Sequence, residues 1–186
     1  MPGWVTISPV YDSYPVLGMR FDTFPFSPRL TQARWTLGKL ASEDMPWLAQ
    51  DALALGYDGR ETRRLAGMMN PVKADIEPLL RGFFTELGLP EDLSQEQAAL
   101  VLACYVAEAI ADGREEAYEG ARFIWWEIAN AVDPTPDRLL SFVGEASEYE
   151  DCSPYDERGK QLRKEIEQQI MTDARDLLIS AGDHWR

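Results

Sequence analysis

The sequence is poor in the residue types on which most catalytic and metal-binding motifs depend. Its 186 residues include one histidine, His184, and two cysteines, Cys104 and Cys152. Zinc sites and carboxylate-bridged di-metal sites take histidine or several cysteines as ligands, so we expect no metal or other cofactor. A Ser–His–Asp or Cys–His site would depend on His184 at the chain end, where a base is seldom held in position. No glycine-rich phosphate-binding loop is present.

Two cysteines are also too few for the disulfide framework of a small secreted domain. Cys104 lies in an apolar run and is predicted to be a small buried hydrophobe. Cys152 lies among carboxylates, which should disfavour its thiolate. The chain start, residues 1–4, lacks the basic stretch and apolar run of a secretory signal. The most apolar stretch, residues 98–111, is shorter than the roughly 20 residues of a membrane span. We therefore expect a cytoplasmic protein.

Basic residues are scarce relative to acidic ones. There are 18 Lys and Arg against 32 Asp and Glu, a formal net charge of −14. Such a surface repels nucleic-acid phosphates and anionic lipid and attracts basic proteins. We predict a basic protein partner, no nucleic acid and no membrane. A nucleic-acid mimic is an alternative, although Arg60, Arg63, Arg64 and Arg158 would interrupt a row of carboxylates.

What the sequence does contain is helical periodicity with recognisable caps. Residues 94–97 fit a capping box, and residues 98–111 are apolar on nearly every side, with Glu108 the one charge. A helix of this kind must be covered on every side, so it should be the centre of a bundle. A turn at Asp112 and Gly113 would join it to a second arm over residues 115–131, forming a central helical hairpin.

The predicted fold is all-α, with about seven helices in a single domain over residues 28–186. Before the central hairpin, helices are expected from Ser27-Pro28 to Leu40, from Ser42 or Asp44 to Leu55, and from a capping box at residues 58–61 to Gly67. A further helix should run from Asn70-Pro71 to Gly88, with a kink or restart at Pro78. After the hairpin, one helix should follow Thr135-Pro136, and the last should follow Ser153-Pro154 and end at Gly182.

Residues 1–27 lack this periodicity and are predicted to be an irregular arm packed on the helical body. Short strands near residues 4–7 and 16–21 are an alternative. The expected anchors are aromatic: Trp4, Tyr11, Tyr14, Phe21, Phe24 and Phe26.

The main candidate for binding is residues 145–157, here called the acidic segment. No basic residue occurs in it, and the predicted partner-binding residues are Glu145, Glu148, Tyr149, Glu150, Asp151, Tyr155, Asp156 and Glu157. Like charges this close repel one another, and a basic partner would relieve the repulsion. Tyrosine suits an interface because it offers both apolar area and a hydroxyl group. The alternative is a solvated acidic connection between two helices.

Five short stretches in the middle of the chain have the sequence pattern of helix ends, and these ends recur along the chain. They are ALALGYD at 52–58, RLAGM at 64–68, FFTELG at 83–88, IADG at 110–113 and EGA at 119–121. In these the chain resembles, over roughly residues 45–181, a loose group of small helical bacterial proteins, although Ala117 stands where a proline would open the second arm. Such proteins are similar to the immunity proteins of bacterial toxin systems. The resemblance implies an all-α domain that binds and blocks a toxin, and it brings no catalytic residues.

The leading hypothesis is therefore a non-enzymatic, acidic protein-binding module, most specifically an immunity protein. A small hydrolase or lyase with a carboxylate pair is the rival from another class. Glu115, Glu116 and Glu119 are dense enough to suggest it, but acidic residues in the first turn of a helix also explain them. A third hypothesis is a helical subunit that docks through Trp125 and Trp126.

Overall fold

A computed structural model describes residues 19–89 and 91–185 of the chain. Within these residues the structure contains eight α-helices and no strand, which confirms the all-α prediction. The helices are α1 (Pro28–Thr36), α2 (Met45–Ala54), α3 (Arg60–Ala66), α4 (Lys73–Glu86), α5 (Gln95–Ala111), α6 (Ala117–Phe123), α7 (Leu140–Asp151) and α8 (Glu157–Ala181). No helix in the described part of the chain is long and apolar enough to cross a membrane.

Helix α5 is the centre of the molecule, as predicted. Its capping box is formed: the Gln97 N–H donates to Ser94 Oγ at 3.1 Å, and the Ser94 N–H donates to Gln97 Oε1 at 2.9 Å. Leu102 and Ile110 are 0% and 2% exposed. Its most extensive contacts are with α8 and α1, and α6 adds a smaller one. A helix that is apolar on all sides is thus covered by several neighbours.

The buried side chains form two clusters. The larger one surrounds α5 and includes residues of α1, α6, α7 and α8, and the smaller one is built by α2, α3 and α4. Helix α1 contacts both, because Leu30 and Ala33 belong to the larger cluster while Trp35 packs against the smaller one. This position also buries polar side chains of α1, including Gln32 at 2% and Arg34 at 6% exposure.

The second arm after α5 is helical but irregular. Helix α6 continues into a π-helical turn, Ile124–Ile128, and then a 3-10 turn, Ala129–Ala131. Ile124 and Ile128 are both buried, whereas Trp126 between them is 54% exposed. Both isoleucines of this turn thus lie in the core, and Trp126 lies at the surface. π-Helical turns often occur at functional sites.

Two predicted helix caps are wrong. The start of α3 is not closed by a capping box with Glu61; its N–H groups donate to the carboxylate of Glu86, which comes from α4. Helix α8 is capped by Asp156 and not by Ser153, since the Gly159 N–H donates to Asp156 Oδ1 at 2.7 Å. At α8 the Asp156 carboxylate, which accepts stronger hydrogen bonds than the neutral Ser153 hydroxyl, replaces the expected cap. At α3 a carboxylate from another helix takes the place of the local pair Asp58 and Glu61.

Two further local expectations are also corrected. Helix α4 runs through Pro78, which lies inside the helix, so the expected restart is wrong. The helical spacing after Pro154 predicts an apolar stripe that begins at Tyr155 and continues with Leu162, Ile166, Ile170, Ala174, Leu177 and Ala181. Tyr155 does not belong to it, because it precedes α8 and is 90% exposed. The remaining stripe is inward: Ile166, Ile170, Ala174 and Leu177 are buried, and Leu162 and Ala181 are half-buried.

Both ends of the described chain pack on the bundle. Phe24 is buried and Phe21 packs against the same larger cluster, while Phe26 packs on the smaller one. Trp185 is 7% exposed in the 3-10 turn Gly182–Trp185, so the C-terminus is docked. The expected anchors Trp4, Tyr11 and Tyr14, the strand near residues 4–7 and the side chain of His184 lie outside the described residues, and residues 19–21 form no strand.

Candidate functional site

The acidic segment is mostly helical and not a connection. Its residues 145–151 form the last turns of α7, and only residues 152–156 link α7 to α8. Residues four apart share one side of a helix, so the segment divides between two sides. Glu148, Glu150 and Asp151 are exposed, whereas Glu145 and Tyr149 are half-buried against the body of the protein.

Glu145 faces α8 rather than open solvent. Burial, followed by the nearby carboxylates of Asp173 on α8 and of Glu148, raises its pKa to about 8. A carboxyl group with this pKa is largely protonated at neutral pH. Of the six acidic residues predicted to bind a partner, Glu145 is therefore the one that adds least negative charge to the surface.

Tyr149 is packed between three helices. Its ring stacks on Tyr118 of α6 with centroids 4.1 Å apart, and the Arg163 guanidinium of α8 lies 4.5 Å from its centroid. Its hydroxyl donates to Glu167 Oε1 at 3.0 Å. The other members of the segment differ in role: Asp156 caps α8, Glu157 pairs with Lys160 at 2.8 Å, and Tyr155 is free of the core.

A cleft borders the acidic segment at Glu150, near the end of α7. This aromatic cleft has a volume of about 650 Å³, and its walls include Phe21, Phe123 and Trp126 together with Glu150. Phe21 and Phe123 meet edge to face with centroids 4.9 Å apart. The Trp126 ring stacks on Trp125 with centroids 4.8 Å apart, which holds its orientation. Clefts of this size and aromatic character are typical ligand-binding sites.

Three carboxylates line the aromatic cleft, and two of them are already paired with cations. Glu119 forms an ion pair with Arg122 at 3.4 Å, and Glu127 accepts a hydrogen bond from Lys39 at 2.9 Å. Glu150 accepts a hydrogen bond from the Tyr118 hydroxyl at 3.1 Å, and no lysine or arginine of the described chain lies within 4 Å of its carboxylate. The cleft therefore presents one carboxylate without a cationic partner.

The arginines of the cleft are likewise occupied. Arg122 is paired with Glu119, and Arg20 pairs with Asp22 at 3.2 Å. The positive charge at the rim is thus balanced locally.

On the α8 side the acidic segment borders cations. A shallower cleft of about 340 Å³ is lined by Tyr149 and Pro154 together with Lys160, Arg163 and Lys164. The Arg163 guanidinium also donates to the carbonyl oxygen of Cys152 at 2.8 Å. The acidic segment is therefore bordered by three cations on its α8 side.

Neither the buried thiol of Cys104 nor the carboxyl pair of Glu145 and Asp173 forms a recognisable catalytic site with other described residues. Burial raises the pKa of the Cys104 thiol to about 11, so this thiol is a poor nucleophile. Glu145 and Asp173 form a carboxyl pair, but neither lines the aromatic cleft. In the described residues no group of three or more His, Cys, Asp or Glu side chains is placed to hold a metal ion.

Comparison with protein-family models, with curated proteins and with solved structures gave no match for this chain. Sequence reasoning identified Glu150 and Trp126 as parts of two separate features, the acidic segment and a tryptophan patch. It missed that they line one cleft, and it missed Phe21, Glu119 and Arg122 as neighbours there. The signal available in the sequence for this cleft was a tryptophan, Trp126, next to an acidic residue.

Proposed function

We propose that this protein binds a basic protein partner through the acidic surface of α7 and the aromatic cleft beside it. The observation that carries the proposal is the position of the exposed carboxylates Glu148, Glu150 and Asp151 at the end of α7, next to a cleft with an exposed tryptophan. Carboxylates at a rim steer a basic partner, and a partly exposed Trp126 offers the rigid apolar area that dominates many interfaces.

The form of this function that the resemblance implies is immunity: binding a basic toxin in the cytoplasm and covering its active site. Occlusion requires no chemistry from the inhibitor, only fast association and slow dissociation. Opposite charge raises association rates by about 10-fold to 1000-fold at low salt. A net charge of −14 suits such steering.

The test begins with co-purification of the partner from the native host, followed by binding kinetics at two salt concentrations. Reversing Glu148, Glu150 and Asp151 to Lys should slow association and flatten its dependence on salt, because rim charges act mainly on the association rate. The matched control reverses Asp51, Glu77 and Glu96, which are exposed on α2, α4 and α5.

Both triple variants change the net charge by the same amount, so the control separates a local acidic surface from a general charge effect. Slowing by the α7 variant alone supports the proposal. An acidic partner, or equal association rates for the α7 variant and the unaltered protein, would contradict it.

A further inference from the structure

We infer that the aromatic cleft receives one arginine side chain of the partner, with its guanidinium stacked on the Trp126 indole and paired with the Glu150 carboxylate. The inference rests on the proposed function and assigns the residue type that the cleft recognises. It is argued from two features of the cleft, the charge of the Glu150 carboxylate and the exposed ring of Trp126.

The first feature is the charge of Glu150. Glu119 and Glu127 are neutralised by Arg122 and Lys39, whereas Glu150 accepts only the neutral Tyr118 hydroxyl among the described side chains. Tyr118 in turn stacks on Tyr149, which fixes the hydroxyl beside the carboxylate. The site therefore holds an oriented negative charge that no lysine or arginine of the described chain neutralises.

The second feature is the face of Trp126. One face of its ring is covered by Trp125 at a centroid distance of 4.8 Å, and the side chain remains 54% exposed. Indole attracts a cation over its face more strongly than the other aromatic rings do. Since the stacked ring is already oriented, a ligand would lose little affinity in ordering it.

Arginine meets both features better than lysine. Its guanidinium is planar, so it can lie flat on an indole and still donate two parallel hydrogen bonds to a carboxylate. An anionic ligand is disfavoured, because Arg20 and Arg122 are already paired and Glu150 would repel it. A volume of about 650 Å³ also leaves room for the chain that flanks the arginine.

The test uses the tripeptide acetyl-Gly-Arg-Gly-amide as the probe and the indole N–H signal of Trp126 as the readout. A ¹H–¹⁵N spectrum of the full chain resolves tryptophan indoles, and the Trp126→Phe variant identifies the signal by its loss. The arginine peptide should shift this signal saturably, with a Kd of about 1–10 mM, the range expected for one anchored side chain. The citrulline peptide, which has the same shape without the charge, should bind at least about 5-fold more weakly.

Two glutamine variants complete the test. Glu150→Gln should weaken the arginine peptide by about 5-fold to 10-fold, a loss typical of one charged hydrogen-bonded contact. Glu96→Gln is the matched control, because Glu96 is exposed on α5 and does not line the cleft. It should leave the affinity unchanged. Melting temperatures of both variants verify that they are folded.

Equal shifts with the arginine and citrulline peptides, an unweakened Glu150→Gln variant, or no shift of the Trp126 signal would each overturn the arginine site. This result is separable from failure of the proposed function. If reversal of the α7 charges slows association with the native partner while Glu150→Gln and Trp126→Phe leave its dissociation unchanged, the acidic surface stands and the arginine site fails. If the peptide binds as described but the native partner is acidic, the proposed function fails and the guanidinium preference of the cleft stands.

Discussion

Helix α3 depends on a carboxylate from another helix, and removing that carboxylate should destabilise the smaller cluster. Glu86 accepts from the N–H groups of Glu61 at 2.9 Å and Thr62 at 2.8 Å, and from the Thr62 hydroxyl at 2.8 Å. The N-cap residue of α3 is Gly59, which has no side chain to serve these donors. Thr62 is 0% exposed, so its hydroxyl would lose its partner inside the protein.

We expect Glu86→Ala to lower the free energy of unfolding by about 1–3 kcal/mol. An N-cap carboxylate contributes roughly 0.5–2 kcal/mol, and an unsatisfied buried hydroxyl adds roughly 1 kcal/mol or more. In a domain of this size the melting temperature should fall by about 2–12 °C. Urea denaturation followed by circular dichroism measures the effect, and a loss below about 0.3 kcal/mol would refute the assigned role of Glu86.

Gly59 provides an independent check of the same contact. A Cβ atom added at Gly59 would collide with the Glu86 carboxylate, so Gly59→Ala should displace that side chain from the helix start. The variant should therefore lose a similar free energy, and the double variant with Glu86→Ala should lose much less than the sum. Gly67→Ala is the control, because a Cβ there meets its nearest neighbour at an ordinary 3.5 Å.

The effect of Glu86 should also depend on pH. Burial acts to raise the pKa of Glu86, but the hydrogen bonds from Glu61 and Thr62 outweigh it and lower the pKa below its usual 4.5. A carboxylate with a lowered folded-state pKa contributes stability above its unfolded pKa and loses it as pH falls. The difference between the unaltered protein and Glu86→Ala should thus shrink in acid. A difference that is constant from pH 7 down to about pH 3 would contradict the charged cap.

Two further variants test the core and the buried carboxyl group. Leu102→Ala and Ile110→Ala should each cost about 2–5 kcal/mol in urea denaturation, since both side chains are buried in α5, and losses below about 0.5 kcal/mol at both would remove α5 from the core. The contribution of Glu145 to the free energy of unfolding should depend on pH with the opposite sign to that of Glu86, and Glu145→Gln should reduce this dependence. The pKa of Glu145 is raised to about 8, so its stabilising contribution is complete below about pH 4.5 and is lost as pH rises through 8. Partial exposure limits this contribution to roughly 1–2 kcal/mol. If the urea midpoint changes by the same amount between pH 5 and pH 9 in the unaltered protein and in Glu145→Gln, this prediction is contradicted.

Features that depend on a few neighbouring residues were predictable from the sequence. The capping box at Ser94 and Gln97 formed as expected, and Gly56 and Gly88 end α2 and α4 with φ of 93° and 83°. The central position of α5 was also predictable, because a helix that is apolar on all sides has no stable place at the surface. These signals are local and agree with one another, which makes them reliable.

Features that depend on packing were not predictable. Glu86 lies 24 residues from Thr62, and no spacing rule links a carboxylate in one helix to the start of another. The same holds for the aromatic cleft, where Trp126 and Glu150 line one cavity because α6 and the π-turn after it pack against α7. The π-turn has no sequence signature of its own. The acidic character of the segment was therefore evident from the sequence. The neighbouring helices in the folded protein decide which of its carboxylates are paired, and this could not be read from the sequence.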